Sequence, residues 1–318
     1  MGTVEAWDRL NFQVREHLKF AAPLQVRVFA GLRAATYEIT QGLCQHLAHK
    51  KSVAFVQGQT FAFESLLMSF YKGAYQVQLK VWNEIQSPQD FISHLAKDTI
   101  FLVIAEDHPV TGELYPHVDE IEKLANEAKI FCIRISHYWH RYQKIQVPPY
   151  TIRLQAYSSQ LCIAVVGEKF KAPGLVAPVM DWSFDKVEKD LEAAPLSLLS
   201  SGELREIEAS LVGQPFFTSA ATPRIHDRAV MCFSDISAGA LIDILKVESG
   251  SLSTSSLLTT NLCTWDSLKT FQKWWLPAPS VDQLRGLVVI DSDLLLRKDF
   301  AKSLQIAYEK VLTLQAWT

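Results

Sequence analysis

The stretch that decides the fold runs from Thr99 to Pro116 and reads TIFLVIAEDHPVTGELYP. Its first seven residues, Thr99 to Ala105, are almost all apolar, which predicts a strand buried on both faces of a sheet. A Pro/Gly turn follows, and apolar residues at helical spacing then predict a helix from Val118 to Lys129. Strand, turn and helix in this order form one unit of a parallel α/β sheet, which binds ligands where its strands end. The turn from Asp107 to Gly112 is therefore a candidate active-site loop.

Strands and helices alternate on both sides of this unit. The alternation, together with strands that are apolar on both faces, predicts a mainly parallel sheet between two layers of helices, a three-layer α/β/α domain. The predicted strands are 52–56, 77–82, 99–105, 130–135, 151–155 and 161–166, and the predicted helices are 4–20, 31–49, 61–71, 91–96 and 118–129.

The dense alternation stops near residue 180. Beyond it the sequence predicts a smaller α+β carboxyl-terminal domain, in which Ser200 and Glu203 form a capping box at a helix start. The predicted organisation is an amino-terminal arm with a helix (1–30), a large α/β domain (31–180) and a small domain (181–318). In the small domain the predicted helices are 185–194, 201–211 and 299–313, the predicted strands are 229–234 and 286–291, and residues 249–260 are predicted to form a loop.

Composition and charge argue against several classes of function. The 318 residues carry a formal net charge of -3 and the basic residues are dispersed, which argues against nucleic-acid binding. The amino terminus is too polar for a signal peptide, and no apolar run approaches the ~20 residues that cross a bilayer. The five cysteines are far apart and mostly within apolar runs, so we expect reduced, buried thiols and no metal site. These features predict a soluble, cytoplasmic protein.

The sequence also lacks the usual motifs of several other enzyme classes. It contains no Gly-x-Ser-x-Gly nucleophile elbow, no phosphate loop ending in Gly-Lys-Ser/Thr and no Gly-x-Gly-x-x-Gly. The histidines near His137 do not have the spacing of a His-Glu-x-x-His zinc site. A hydrolase, a nucleoside triphosphatase and a zinc enzyme are therefore not expected.

Four segments between about residues 30 and 315 carry a pattern that none of them shows alone. They are Gly58-Gln59-Thr60 at a predicted helix start, the candidate loop from Asp107 to Gly112, the strand end at Ser136-His137-Tyr138, and Tyr157-Ser158-Ser159 after a predicted strand. In this order they resemble the fold-type I pyridoxal-phosphate enzymes, the class I/II aminotransferases in particular. The resemblance implies a three-layer fold, a cofactor site at the strand ends and a homodimer.

The resemblance implies a role for the first two segments. Gly58, Gln59 and Thr60 would hold the cofactor phosphate, because free N–H groups and the helix dipole attract an anion at a helix start. The alternative is an ordinary turn with a threonine cap. His108 would donate the hydrogen bond that an asparagine of the family gives to the cofactor ring oxygen. The alternative is a turn in which Pro109 and Gly112 are kept for their backbone geometry.

Further contacts follow from the same resemblance. Trp82 would stack on the cofactor ring, and its alternative is a buried tryptophan at a strand end. Arg285 would bind a substrate carboxylate through its planar guanidinium, and its alternative is a solvated side chain. Tyr138 and Ser159 complete the set of residues that would lie around the cofactor.

Two departures from the family pattern indicate lost catalysis. Ser136 stands where the family has the aspartate that keeps the pyridine nitrogen protonated. The position of the Schiff-base lysine falls on Ser159, Gln160 or Leu161, none of which supplies an amine. Lys169 is the candidate for a relocated lysine, although it aligns more closely with the family's phosphate-binding arginine.

The predicted function is therefore that of a catalytically inactive, aminotransferase-like protein that binds or interacts with a partner. One alternative is an active pyridoxal-phosphate transferase with a relocated lysine. Another is a module that binds a small anionic ligand in the old cofactor pocket. No cofactor is expected unless the first alternative holds. The expected partners are a second copy of the chain and an unidentified protein or small anion, without nucleic acid or membrane.

Overall fold

The three-dimensional description rests on a computed structural model. It describes residues 12, 25–29, 31–56, 77–82, 87–95, 98–108, 111–137, 147–156, 162–170, 199–217, 222–249, 257–259 and 280–316. The predicted helices at 61–71 and 185–194 lie outside these residues. Of the predicted helix at 4–20 only Phe12 is described, as a helical and exposed residue.

Contacts between Cα atoms divide the chain into two compact units. Unit 1 comprises Met1–Pro109 and Tyr115–Pro195, and unit 2 comprises Val110–Leu114 and Leu196–Thr318. The predicted boundary near residue 180 lies outside the described residues and stays a prediction.

Unit 1 is built on a seven-stranded sheet with the strand order β1-β7-β6-β5-β4-β2-β3. The five strands from β2 to β6 are mutually parallel where they pair, while β7 runs antiparallel to both of its neighbours. The strands are β1 (Gln25–Phe29), β2 (Ser52–Val56), β3 (Gln78–Trp82), β4 (Thr99–Ala105), β5 (Phe131–Ser136), β6 (Thr151–Ala156) and β7 (Cys162–Val166), and the helices are α1 (Gly31–His46), α2 (Pro88–His94) and α3 (Val118–Glu127).

The central strand β4 is buried along its whole length, as its apolar sequence predicts. Phe101 and Val103 belong to a core that also contains residues of α1. Leu102 and Ile104, which point to the opposite face because side chains alternate along a strand, belong to a core that contains residues of α3. The prediction of a mainly parallel sheet between helical layers is therefore confirmed.

The parallel strands define two edges of this sheet. The carboxyl edge is where β2 to β6 end, at Ala105 and Ser136 among others, and the amino edge is where they begin, at Thr99 and Phe131 among others. Because β7 is antiparallel, it begins beside Ala156 at the carboxyl edge and ends at the amino edge.

Local signals explain most of the bounds in unit 1, and one strand was missed. Helix α2 begins at Pro88, three residues before the predicted start, because Ser87 caps it by accepting a hydrogen bond from the backbone N–H of Asp90. Strand β1 was not predicted. It is a five-residue strand at the end of the sheet with Arg27 at its centre, so it lacks the continuous apolar run of the inner strands.

Unit 2 contains a four-stranded antiparallel sheet with the order β10-β11-β9-β8. The capping box of Ser200 and Glu203 is confirmed at the start of α4. The predicted loop at 249–260 was wrong at both ends, because Ser249 ends a helix and 257–259 form a strand. The elements are α4 (Ser201–Ser210), β8 (Gln214–Pro215), β9 (Arg228–Cys232), α5 (Ala238–Ser249), β10 (Leu257–Thr259), α6 (Val281–Arg285), β11 (Leu287–Asp291), α7 (Ser292–Leu295) and α8 (Phe300–Gln315).

The candidate loop is divided between the two units. Its second half belongs to the segment Val110–Leu114, which groups with unit 2. There the backbone N–H of Leu114 donates to the carbonyl of Pro223, and that of Ile225 donates to the carbonyl of Gly112, each at 2.9 Å. Gly112 has a φ of +70°, which glycine adopts without steric strain. The glycine thus serves a backbone pairing within unit 2.

Two further expectations concern thiols and membranes. Cys44, Cys132, Cys162 and Cys232 are buried and free, as predicted, while Cys263 lies outside the described residues. Within the described ranges no helix has the length and apolarity needed to cross a bilayer.

Candidate functional site

The carboxyl edge of the sheet in unit 1 carries a buried hydrogen-bonded cluster around Asp107. The Ser136 hydroxyl donates to Oδ2 of Asp107 at 2.9 Å, and the backbone N–H of His137 donates to Oδ1 at 2.8 Å. Nδ1 of His137 lies 2.9 Å from the same Oδ1 atom. Asp107 is fully buried, so these contacts replace the water that its carboxylate would otherwise bind. The cluster joins residues that are 30 positions apart in the chain.

His108 follows this carboxylate and is also buried. Burial lowers the pKa of His108 to about 3, and the neighbouring His137 acts in the same direction, whereas Asp107 opposes them. His108 is therefore neutral at pH 7. Its ring centroid lies 6.3 Å from that of Tyr115. A neutral imidazole still has one N–H, so the hydrogen-bond donor role proposed for His108 stays chemically open.

A network of charged side chains, buried or nearly so except for Asp119, lies on the face of the sheet covered by α3. Nε of Arg134 donates to Glu106, and Nη1 donates to Glu122 at 2.6 Å and to Asp119 at 2.7 Å. Arg153 on the next strand donates to the same Glu122 at 2.7 Å. Burial alone would lower the pKa of Arg134, but the three carboxylates raise it above its ordinary value. The network keeps Arg134 charged and ties α3 to the sheet.

The structure brings together only part of the predicted site. Ser136 is in the cluster and His108 is next to it. Trp82 is buried in the core and packs on Phe91 with ring centroids 5.9 Å apart, which is the packing alternative given for it. Gly58, Gln59, Thr60, Tyr138 and Ser159 lie outside the described residues, so their roles stay predictions.

Lys169 lies at the amino edge, away from Asp107 and Ser136. It follows β7, and its backbone N–H donates to the carbonyl of Pro149 at 2.8 Å. The six residues of β6 separate the two edges by roughly 16 Å. The ammonium group of Lys169 is half-exposed and lies 3.8 Å from Glu168. A relocated lysine at this position does not face the cluster around Asp107.

Arg285, the candidate carboxylate clamp, is in unit 2. It is the exposed last residue of the five-residue helix α6, and one residue, Gly286, separates it from β11. An exposed arginine at a helix end favours the alternative of a solvated side chain. The clamp itself stays a prediction.

Unit 2 has two buried arginines of its own, neither of which was predicted. Arg224 binds Glu208 through two bonds of 2.8 and 2.7 Å, and Arg228 binds Asp227 through two bonds of 2.6 Å. Burial raises the pKa of Asp291 to about 7 against the opposing effect of Arg228. Both arginines are paired by acids near in space, which is typical of structural ion pairs in a protein interior.

Sequence reasoning missed the most connected residues at the carboxyl edge. Asp107 was named only as the first residue of the candidate loop, yet its carboxylate accepts a hydrogen bond from Ser136. Gln155 pairs in register with Ser136, and its buried amide oxygen has no hydrogen-bond donor among the described residues. The one available signal was the position of Asp107 directly after a fully apolar strand, where parallel sheets collect polar residues.

The described residues differ in how well they suit a metal ion and pyridoxal phosphate. Within the described ranges no group of three His, Cys, Asp or Glu residues is placed to hold a metal ion. The Asp107 carboxylate is of the type that pairs with a protonated pyridine nitrogen. None of the described lysines of unit 1 (Lys50, Lys51, Lys80, Lys123, Lys129 and Lys169) follows a strand end at the carboxyl edge. The described residues therefore supply the carboxylate that pyridoxal phosphate needs beside its pyridine nitrogen. They do not supply a lysine amine at the same edge of the sheet.

Comparisons with known proteins identify the fold. The chain superposes on a NifS-like protein with a TM-score of 0.59 at 11% sequence identity, covering 100% of this chain and 90% of the other. The apo cysteine desulfurase from Thermococcus onnurineus gives 0.59 at 10% identity, with 97% and 84% covered. The histidinol-phosphate aminotransferase from Clostridium acetobutylicum gives 0.53 at 13% identity, with 96% and 90% covered. No protein-family model and no curated protein matches the sequence.

These neighbours are fold-type I pyridoxal-phosphate enzymes, so the chain has an aminotransferase-like α/β fold. The predicted resemblance is therefore confirmed for the fold. At identities of 10–13% the likeness concerns the fold alone, because function depends on the residues of the site.

Proposed function

We propose that this protein is a catalytically inactive relative of the fold-type I enzymes and acts as a binding or interaction protein. The observation that carries the proposal is the position of Lys169, which lies at the amino edge while the acid cluster lies at the carboxyl edge. Residues Ser159, Gln160 and Leu161 at the aligned lysine position supply no amine either. Without an amine there is no covalent attachment of the cofactor and no base for its proton transfers.

The Asp107 cluster supports the same proposal. Its carboxylate already accepts hydrogen bonds from Ser136 and His137, and both partners are largely buried. A buried acid with these partners stabilises the carboxyl edge without a cofactor, because each hydrogen bond to a charged group contributes about 1.5–3 kcal/mol. The cluster therefore has a structural role that does not depend on catalysis.

The decisive experiment is titration of the purified protein with pyridoxal phosphate. We expect no saturable aldimine absorbance at the edge of the visible range. Borohydride reduction followed by peptide mass spectrometry is expected to find only scattered, substoichiometric labelling of exposed lysines. A fold-type I aminotransferase treated in parallel is the positive control. Stoichiometric labelling of a single lysine, abolished by replacing that lysine with methionine, would overturn the proposal and support the relocated-lysine alternative.

The same experiment tests the alternative of a small anion in the old cofactor pocket. Asp107 and Glu106 are acidic residues at the described part of the carboxyl edge, and neither favours an anion beside it. Saturable, non-covalent binding of pyridoxal phosphate or inorganic phosphate, weakened by Thr60→Val, would support that alternative. Equal affinity in Thr60→Val would exclude this turn as the site.

We also propose that the protein is a cytoplasmic homodimer. The support for the dimer is the fold likeness, and the support for a reducing compartment is the four free, buried cysteines. Sedimentation velocity is expected to show a species of twice the chain mass of 35.9 kDa. A monomer at every concentration tested would exclude the dimer, and fractionation of cells would test the compartment.

A further inference from the structure

The amino edge of the sheet in unit 1 has a cavity of about 550 Å³. It lies between α2, the end of α3 and the start of β4. It is therefore at the opposite edge of the sheet from Asp107 and Ser136. Cavities that hold small ligands typically measure roughly 300–1,000 Å³. The size is that of a small-molecule site.

The lining combines an apolar floor with cationic side chains. Ile92, Leu95 and Ile130 are buried and form the apolar part. Lys50 and Lys129 also line the cavity. A ligand that fits both parts carries an apolar chain and a negatively charged head.

Within the part of the chain that the structure describes, Lys50 has hydrogen-bonding capacity left for such a head. Its ammonium group donates to the carbonyl of Thr99 at 3.0 Å, which uses one of its three N–H groups. It is partly buried, and burial lowers its pKa while Asp98 acts in the opposite direction. A carboxylate beside a partly buried ammonium is favourable, because the two charges offset the loss of solvent.

Lys129 occupies a backbone position where glycine is usual. It follows α3 with a φ of +56°, in the left-handed region that costs a residue with a side chain about 1 kcal/mol or more. Its ammonium group forms no ion pair with any described residue. Lys129 thus combines a strained backbone conformation with a positive charge that lines the cavity.

Groups that oppose an anion are also present and are largely compensated. Glu127 lines the cavity, but its carboxylate lies 4.0 Å from Lys123 on the same helix. Near the end of α3, the carbonyls of Leu124, Ala125 and Asn126 accept hydrogen bonds from backbone N–H groups of the three residues that follow the helix. The local balance therefore still favours an anionic head near Lys50 and Lys129.

We propose that this cavity binds a small amphipathic carboxylate, with its charged head at Lys50 and Lys129 and its apolar chain on the floor of Ile92, Leu95 and Ile130. The site is separate from the carboxyl edge. Its occupancy does not depend on whether the protein binds pyridoxal phosphate.

The test is calorimetric titration of the full-length protein with octanoate, octylammonium and acetate. We expect saturable binding of octanoate and much weaker binding of the other two. Acetate lacks the chain that fills the floor, and octylammonium places a cation beside two lysines. Octylammonium binding as tightly as octanoate would overturn the proposal, as would acetate binding equally well.

Three variants locate the site. Lys50→Met is expected to weaken octanoate binding by about tenfold or more, because a charge-assisted hydrogen bond is lost. Lys129→Gly is expected to weaken it about threefold, as an exposed charge contributes less. Lys169→Met, a change at the same edge of the sheet outside the lining, is the matched control and should bind as the original chain does.

The Lys129→Gly variant also separates binding from folding. Glycine adopts a φ of +56° without steric strain, so the unfolding midpoint should stay the same or rise while octanoate affinity falls. Full octanoate affinity in both Lys50→Met and Lys129→Gly would show that these lysines do not hold the head, and the proposal would be wrong.

Discussion

The two edges of the seven-stranded sheet use polar residues in different ways. At the carboxyl edge Asp107 is fully buried and bonded to Ser136 and His137. At the amino edge Lys50 and Lys129 line a cavity, and among the described residues Lys50 has a single acceptor for its three N–H groups. The Asp107 carboxylate at the carboxyl edge thus already accepts hydrogen bonds from neighbouring groups, whereas the opposite edge has room for a ligand.

The comparison of the two edges distinguishes polar residues that stabilise the fold from polar residues that have capacity to bind a ligand. A buried polar group that is matched by neighbours contributes to stability, and removing one partner leaves the other unsatisfied. A partly exposed charge with free donors contributes little to folding and has capacity for a ligand. Substitutions at the carboxyl edge should therefore change stability, and those at the amino edge should hardly change it.

The largest effect is expected for Arg134→Met. Glu106 and Glu122 are buried beside this arginine, so its removal leaves carboxylates without their main counter-charge. Breaking a buried ion pair from one side costs about 3–5 kcal/mol of unfolding free energy. Urea denaturation measures the loss, with Lys123→Met as an exposed control. A loss of less than about 1 kcal/mol would show that the network on this face is not structural.

The second effect is a pH dependence from His108. Its folded pKa of about 3 lies below the unfolded value of 6.5, so the folded state disfavours the protonated form. Stability is therefore fully present above about pH 6.5 and is lost as pH falls toward 3, by about 3 kcal/mol between pH 7 and pH 4. His108→Gln should flatten this part of the stability profile.

The control for His108 is His94→Gln, a change at an exposed histidine of α2 that should leave the profile unchanged. Stability would be measured by urea unfolding at several pH values. An equally steep acid loss in His108→Gln would show that this imidazole is not the group responsible.

A smaller effect is expected for Ser136→Ala. The change removes one donor to Asp107, whose Oδ1 atom keeps its bonds to His137. One hydrogen bond to a buried carboxylate contributes about 1.5–3 kcal/mol. Thermal unfolding measures it against Ser93→Ala, an exposed serine that donates to the carbonyl of Asp90. Equal stability of the two variants would argue against a structural role for the cluster.

The smallest effect is expected at the amino edge, for Lys169→Met. Its contact with Glu168 is exposed and 3.8 Å long, so the stability should change by less than about 0.5 kcal/mol. The pattern of borohydride labelling with pyridoxal phosphate should also be unchanged apart from the missing residue. Loss of an otherwise stoichiometric label would restore Lys169 as a relocated catalytic lysine.

Much of the fold was predictable because its signals are local. A strand buried on both faces must be apolar at every position, and Thr99–Ala105 shows this directly. The start of α4 was predictable because a capping box involves residues only three apart. Strand β1 was not, since Arg27 at its centre interrupts the apolar pattern.

The apolar pattern of the sequence did not show in which direction a strand runs. Residues 162–166 read as another strand of a mainly parallel sheet, but the strand is antiparallel to both neighbours. The apolar pattern of a buried strand is the same in either direction. This reversal places Lys169 at the amino edge, which is why its role could not be judged from alignment alone.

By itself, the sequence determined a mainly parallel α/β core and its likeness in fold to the fold-type I enzymes. Only the tertiary structure decided that Asp107 meets Ser136, that Arg134 is buried among three acids, and that lysines line a cavity at the other edge. The physical reason is the separation in sequence between the residues that interact. Burial patterns and caps are set by neighbours in the chain, whereas paired charges and cavities depend on residues that only folding brings together.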